Sequence, residues 1–256
     1  MQLIYERGIK LPPKKQKNKH SVFFAPLAFA LVCAALIFVL GVFFQVNTIE
    51  VNGNSFYSDS EVAEASGVAE GDNLFFINRF SAASRIFAKL AYVEGVSIDR
   101  KLPSSLIIDV VESEAFACVE TDNGIWAVDR TCKLLSKVSS EDAAALVQVK
   151  GFTVENPVQG EIISNPGIDT TTISYLSDML RQISALNLRQ SIEYIDMSNA
   201  GSPEFDFLGR FTVIMGAYEN VPYKFQLLIA AVAGLQSGDC GTLDLSIDEA
   251  AHLTYD

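Results

Sequence analysis

Histidine is nearly missing from this chain: two occur in 256 residues, His20 and His252. Beyond the first 20 residues, a Ser-His-Asp triad would have to be built on His252 alone, close to the carboxy terminus. Zinc sites need clustered Cys and His, which the sequence does not supply. Four cysteines are too few for a disulfide-built fold. Cys33 falls in an apolar run, and the odd trio Cys118, Cys132 and Cys240 is expected as free buried thiols. No P-loop, dinucleotide glycine motif or G-x-S-x-G run occurs. Cations are scarce after residue 20: the first 20 residues carry a net charge of +5 and the remainder −17. That balance argues against nucleic-acid binding by the body, because phosphate neutralisation needs an excess of Lys and Arg. The many acids leave a carboxylate-pair glycosidase open on composition alone, although a solvated acidic surface is the expected reading. No catalytic residue, metal ligand or cofactor is expected, and no enzymatic activity.

What the chain does contain is a long uncharged stretch, Ser21 to Ile49. Within it, Val22 to Phe44 is almost wholly apolar. As a helix this run would be roughly 35 Å long, enough for a hydrocarbon core of about 30 Å. It exceeds a signal-peptide core of ~7–15 residues, and no convincing A-x-A site follows. Residues 21–44 are therefore expected to be an uncleaved anchor. Lys10, Lys14, Lys15, Lys17 and Lys19 precede it. By the positive-inside rule, residues 1–20 form a basic cytoplasmic tail and the acidic body is extracytoplasmic, a type II single-pass arrangement in the plasma membrane. The lysines also suit anionic lipid headgroups.

The body reads as two units of an α+β fold. In residues 45–114, a short strand ends at Asn52-Gly53-Asn54. Ser58 and Glu61 have capping-box spacing before a helix that stops at Gly67. Ile77, Phe80, Ser84, Phe87 and Ala91 predict the core face of a second helix. Strands follow at Tyr92–Arg100 and Ser105–Glu112, joined by a turn holding Pro103. The order β-α-α-β-β predicts two helices on one face of a small mixed sheet.

Residues 115–256 read as a larger, mixed β-rich unit with two amphipathic helices. Asp122-Asn123-Gly124 marks a hairpin, with Trp126 on its second strand as a core residue. Strands are expected near 133–136, 147–152, 191–197 and 205–214. Ile173, Leu176, Leu180, Ile183 and Leu186 define one helix. The other starts after Asn220 with Pro222 in its first turn. Its expected core face is Phe225, Leu228, Ile229, Val232 and Leu235, with Gly238 just past its end. Thr242–Leu245 and Ala250–Tyr255 are expected to form a terminal hairpin.

Several motifs carry a resemblance: Ile49-Glu50-Val51-Asn52-Gly53-Asn54, Gly71-Asp72-Asn73-Leu74-Phe75 and Arg100-Lys101-Leu102-Pro103-Ser104-Ser105-Leu106-Ile107-Ile108. Ala127-Val128-Asp129, Gly151 and Val213-Ile214-Met215-Gly216 add to it. The sequence resembles the FtsQ/DivIB bacterial division proteins. It departs at Arg130-Thr131-Cys132, where a small turn with Gly is usual, and lacks the usual Leu-Pro before Gly151. The resemblance implies a POTRA domain at 45–114 and the family's β domain at 115–256. It implies a scaffold at the division septum that links early and late division proteins and regulates septal peptidoglycan synthesis by binding. Implied partners are FtsB/DivIC-type and FtsL-type single-span coiled-coil proteins and the septal synthesis machinery.

Binding by strand addition needs an exposed sheet edge. The carboxy-terminal strand is the expected edge, which makes Ala250, Ala251, His252, Leu253, Thr254 and Tyr255 the candidate partner-binding residues. Tyr255 is the best anchor among them, because Tyr is enriched at interface hot spots. Lys224 matches a family helix position near that edge; it is read equally as a contact to an acidic partner residue and as a surface lysine. An anchored extracytoplasmic sensor, binding a small ligand between the two units, is the alternative reading.

Overall fold

The computed structural model describes residues 21–247 and 250–255. The basic tail at 1–20, the hairpin link at 248–249 and Asp256 lie outside them. Helix α1, Ser21–Phe43, holds Pro26 near its start and is long and apolar enough to cross a membrane.

The first unit follows directly. Strand β1 is Thr48–Asn52, helix α2 Asp59–Ser66 and helix α3 Arg79–Lys89. The capping box forms as spaced: Ser58 accepts from the Glu61 N–H while Glu61 accepts from the Ser58 N–H, and Gly67 closes α2 in the left-handed region. Strands β2, Val93–Lys101, and β3, Ser105–Glu112, complete a sheet ordered β1-β3-β2. β1 runs parallel to β3, and β2 antiparallel to it. Val62, Ala65, Leu74, Ile86, Leu106 and Ile108 form its core.

The face of α3 differs from the expected one. Ala82 and Ile86 are buried, whereas Phe80 is 82% exposed and Phe87 is also exposed. Alanine lets the helix approach the sheet closely, so the small residues mark the inner stripe and the large aromatics point outward.

The second unit contains β4, Ala117–Thr121; β5, Gly124–Val128; β6, Leu134–Lys137; α4, Ser140–Ala143; β7, Val147–Val154; and α5, Thr170–Ala185. It continues with β8, Tyr194–Asp196; β9, Glu204–Phe207; β10, Phe211–Ile214; α6, Val221–Ala233; β11, Gly241–Asp244; and β12, His252–Tyr255. These strands form one nine-stranded mixed sheet, ordered β12-β11-β10-β9-β8-β7-β4-β5-β6. Helices α5 and α6 pack into one core with it through Ile173, Leu176, Leu180, Phe225 and Leu228. Ile229, expected in that core, is exposed. Helix α6 closes at Gly234, four residues before the expected stop.

The departure at Arg130-Thr131-Cys132 has a physical answer. Cys132 itself takes a positive φ of 62°. Asp129 stabilises this turn, its Oδ1 accepting from the backbone N–H groups of Thr131 and Lys133 and from the Thr131 hydroxyl. Gly151 has no such freedom: a Cβ there would lie 2.2 Å from the Ser198 nitrogen. All four cysteines are free; Cys118 and Cys132 are buried, but Cys240 is exposed, contrary to the expectation.

The two units touch. The Tyr92 hydroxyl meets Ser136 Oγ at 2.6 Å, and Lys133 donates to the Val93 carbonyl at 2.8 Å. Ser113 donates to buried Asp129 at 3.0 Å, and Arg130 pairs with Glu94 at 3.2 Å.

Candidate functional site

The carboxy-terminal hairpin places β12 at one end of the long sheet. β12 pairs antiparallel with β11, with Gly241 opposite Tyr255 and Asp244 opposite His252. Among the described residues, no strand pairs with its outer side. Successive side chains of a strand alternate between faces. Ala251 and Leu253 accordingly pack on the core side, while His252 and Thr254 are exposed. Tyr255 shares the face of Leu253 but is 63% exposed. Ala250 lies just before the strand and is exposed.

This edge is set by glycines. Gly241 has φ 143°, and a Cβ there would lie 2.0 Å from the Thr254 carbonyl oxygen. Gly216 has φ 68°, and a Cβ there would lie 2.5 Å from Ser246 Cβ. The backbone that leads into β12 therefore sits against the β10–α6 connection at closest approach. Gly216 stood among the motif residues of the sequence. Gly241 did not, since its role depends on a pairing that only the fold creates.

Lys224 is buried, at 7% exposure, which corrects the surface-lysine reading. Its ammonium donates to the carbonyls of Met215 and Ala217, both at 2.7 Å. Between those two, the Gly216 carbonyl accepts from the Tyr175 hydroxyl at 3.0 Å. Burial pushes the Tyr175 phenol well above its ordinary pKa, so it remains a donor. Tyr218 stacks on Tyr175 with centroids 4.7 Å apart and donates to Asp178 at 2.7 Å. Three consecutive carbonyls are thus held by side chains from α5 and α6. Lys224 supports the edge from inside, and Tyr223 of the same helix is exposed.

Beside this support runs a groove of about 490 Å³, lined by Glu219, Asn220, Tyr223, Lys224, Leu245 and Ile247 among others. It flanks the segment that leads to β12. No group of three or more His, Cys, Asp or Glu suited to a metal ion is found among the described residues. The site offers a backbone edge, the exposed Tyr255 on it and a groove lined by exposed Tyr223, which is equipment for holding a peptide.

The described residues thus combine a membrane-length apolar helix, a β-α-α-β-β module and a nine-stranded sheet with an open terminal edge. Residues 44–113 match the family model described as POTRA domain, FtsQ-type. The chain is 25% identical over 185 residues to the cell division protein DivIB of Clostridium acetobutylicum, covering 71% of each. It is 24% identical over 190 residues to the cell division protein DivIB of Bacillus subtilis, covering 73% of this chain and 64% of that one. A shorter match, 31% over 104 residues, links it to the cell division protein FtsQ of Corynebacterium glutamicum, covering 38% and 46%. Residues 44–113 thus match a POTRA domain of the FtsQ type, and the chain as a whole is similar to the cell division proteins DivIB and FtsQ.

Proposed function

We propose that this protein is a non-enzymatic scaffold of the bacterial division machinery. Its relatives support a role in cell division. In this reading α1 crosses the plasma membrane, the basic tail stays in the cytoplasm and the body works outside, concentrated at the septum. The scaffold links early and late division proteins and regulates septal peptidoglycan synthesis by binding rather than by chemistry.

The observation that carries the proposal is the unpaired outer side of β12. Its N–H and C=O groups accept a tenth strand, and an FtsB/DivIC-type single-span partner supplies it. An FtsL-type protein and the septal synthesis machinery then assemble around that pair. Ala250, Ala251, His252, Leu253, Thr254 and Tyr255 form the docking edge, Tyr255 is its anchor, and Lys224 acts on the partner by holding the edge in place.

Deleting residues 250–256 tests this. The truncated chain is expected to keep its circular dichroism spectrum and lose calorimetric binding of the FtsB/DivIC-type extracytoplasmic segment. Wild-type affinity in the truncation overturns the docking edge.

A further inference from the structure

The membrane-proximal end of the first unit carries large apolar side chains that its core does not use. Phe76 is 87% exposed, Phe80 82%, and Phe75 and Leu102 are about half exposed. Soluble surfaces scatter single apolar residues, but a cluster on one tip calls for a covering.

The backbone N–H groups at 74–76, in the loop at this tip, are paired. Asn73 Nδ2 donates to the Leu40 carbonyl at 2.8 Å, and the Leu74 N–H donates to the Phe44 carbonyl at 2.8 Å. The Phe75 N–H donates to Asn73 Oδ1, and the Phe76 N–H to the Asn73 carbonyl. Asn78 caps α3 by accepting from the Ser81 N–H. Phe44 and Phe75 meet edge to face, with centroids 4.9 Å apart. Loop 73–77 therefore grips the last turn of α1 and keeps its amides paired, so entering an apolar medium leaves none of the three N–H groups at 74–76 unsatisfied.

The height of the loop follows from the same contacts. Leu40 lies three residues inside the end of α1, which is about 4.5 Å along the axis. A side chain bonded to its carbonyl stands at the border of the hydrocarbon core. The Ser104 carbonyl accepts from the N–H groups of Asn47 and Thr48, just past the end of α1. That contact brings Leu102 to the same end. Of the cations there, Arg79 pairs with Asp99 at 3.0 Å and Lys101 with Glu50 at 3.0 Å, while Arg100 donates to the Ile77 carbonyl at 2.9 Å.

We infer that Phe75, Phe76, Phe80 and Leu102 seat this end of the POTRA domain in the outer membrane-water interface, with lipid as the covering partner. The contact is apolar, so it requires no anionic lipid. It fixes the domain against the bilayer instead of leaving it to swing on the anchor. The inference rests on α1 spanning the membrane, as proposed above.

The test uses the full chain with Trp126→Phe, reconstituted in phosphatidylcholine vesicles. A single Trp is placed by Phe76→Trp, by Phe80→Trp or, as the control, by Phe56→Trp. Phe56 is exposed and hydrogen-bonds through its N–H to Glu112, at the far end of β3. Seven steps of strand put that end roughly 23 Å from Ser105. Lipids brominated near the headgroup are expected to remove about half or more of the emission at positions 76 and 80 and to spare position 56. Flotation with the vesicles reports the anchor separately. A floating chain whose Trp at 76 is no more quenched than at 56 overturns the interfacial seat alone. A chain that does not float removes the anchor and the seat with it.

Discussion

A side chain on Gly241 would collide with Thr254: a Cβ built there lies 2.0 Å from the Thr254 carbonyl oxygen. The contact ties the backbone of β11 to that of β12. Gly241→Val adds both the clash and a φ that L residues avoid, a local cost of about 1–3 kcal/mol. β12 meets the main core only at its margin, through partly buried Leu253 and the adjoining Ala251. Binding of an FtsB/DivIC-type segment is expected to weaken at least about tenfold, since ~1.4 kcal/mol suffices. The melting temperature should stay close to wild type. Calorimetry and thermal melts check the two halves.

Lys224→Met is expected to act on stability first. The substitution leaves the Met215 and Ala217 carbonyls without the ammonium that bonds them. Charge-assisted bonds to a buried group are lost, at about 2–4 kcal/mol. Urea unfolding is the measurement. An unchanged midpoint with weakened partner binding would instead assign Lys224 to direct contact.

Acid should loosen the first unit through Glu112. Burial pushes its carboxyl pKa up, but the N–H groups of Phe56, Tyr57 and Ser55 outweigh that and hold it below the ordinary carboxylate range. The folded pKa is lower than the unfolded one. The stabilisation is therefore complete above the unfolded value, about 4.3, and is lost as pH falls through the folded value. Glu112→Gln should flatten the fall in stability below roughly pH 5, as denaturant titrations across that range would show.

Thiol labelling should separate the cysteines. Burial raises the pKa of Cys118 and of Cys132, and the thiolate is the reactive form. Cys240 is exposed. In micelles, a maleimide is expected to add rapidly at one site, and Cys240→Ser should abolish that addition. Rapid labelling at Cys118 or Cys132 would contradict the packing of the second unit.

Much of this architecture is legible in the sequence because its signals are local. The Ser58–Glu61 box, the Asn123-Gly124 hairpin and the stripe from Ile173 to Ile183 each depend on neighbours within a few residues. The outward turn of Phe80 and Phe87 was not legible, because a periodicity that weighs bulk overlooks Ala82. The strand order was also hidden. β4 pairs parallel with β7 across a gap of many residues, and β10 pairs parallel with β11 across α6. The burial of Lys224 depends on three carbonyls of a connection that pattern cannot place. At the candidate site the strand itself could be read in advance, while the glycine contact and the lysine support beneath it could not.

The nine strands form one ladder, and its two ends face different tasks. At one end β6 reaches the POTRA domain through the contact of Ser136 with Tyr92. At the other lies β12. Eight steps of about 4.8 Å separate them, roughly 38 Å. If a partner strand docks on β12 as proposed, the sheet acts as an outrigger, holding that strand eight ladder steps from the strand that touches the POTRA domain. The width of the ladder, set by strand spacing, would then fix the distance between that domain and the docked strand.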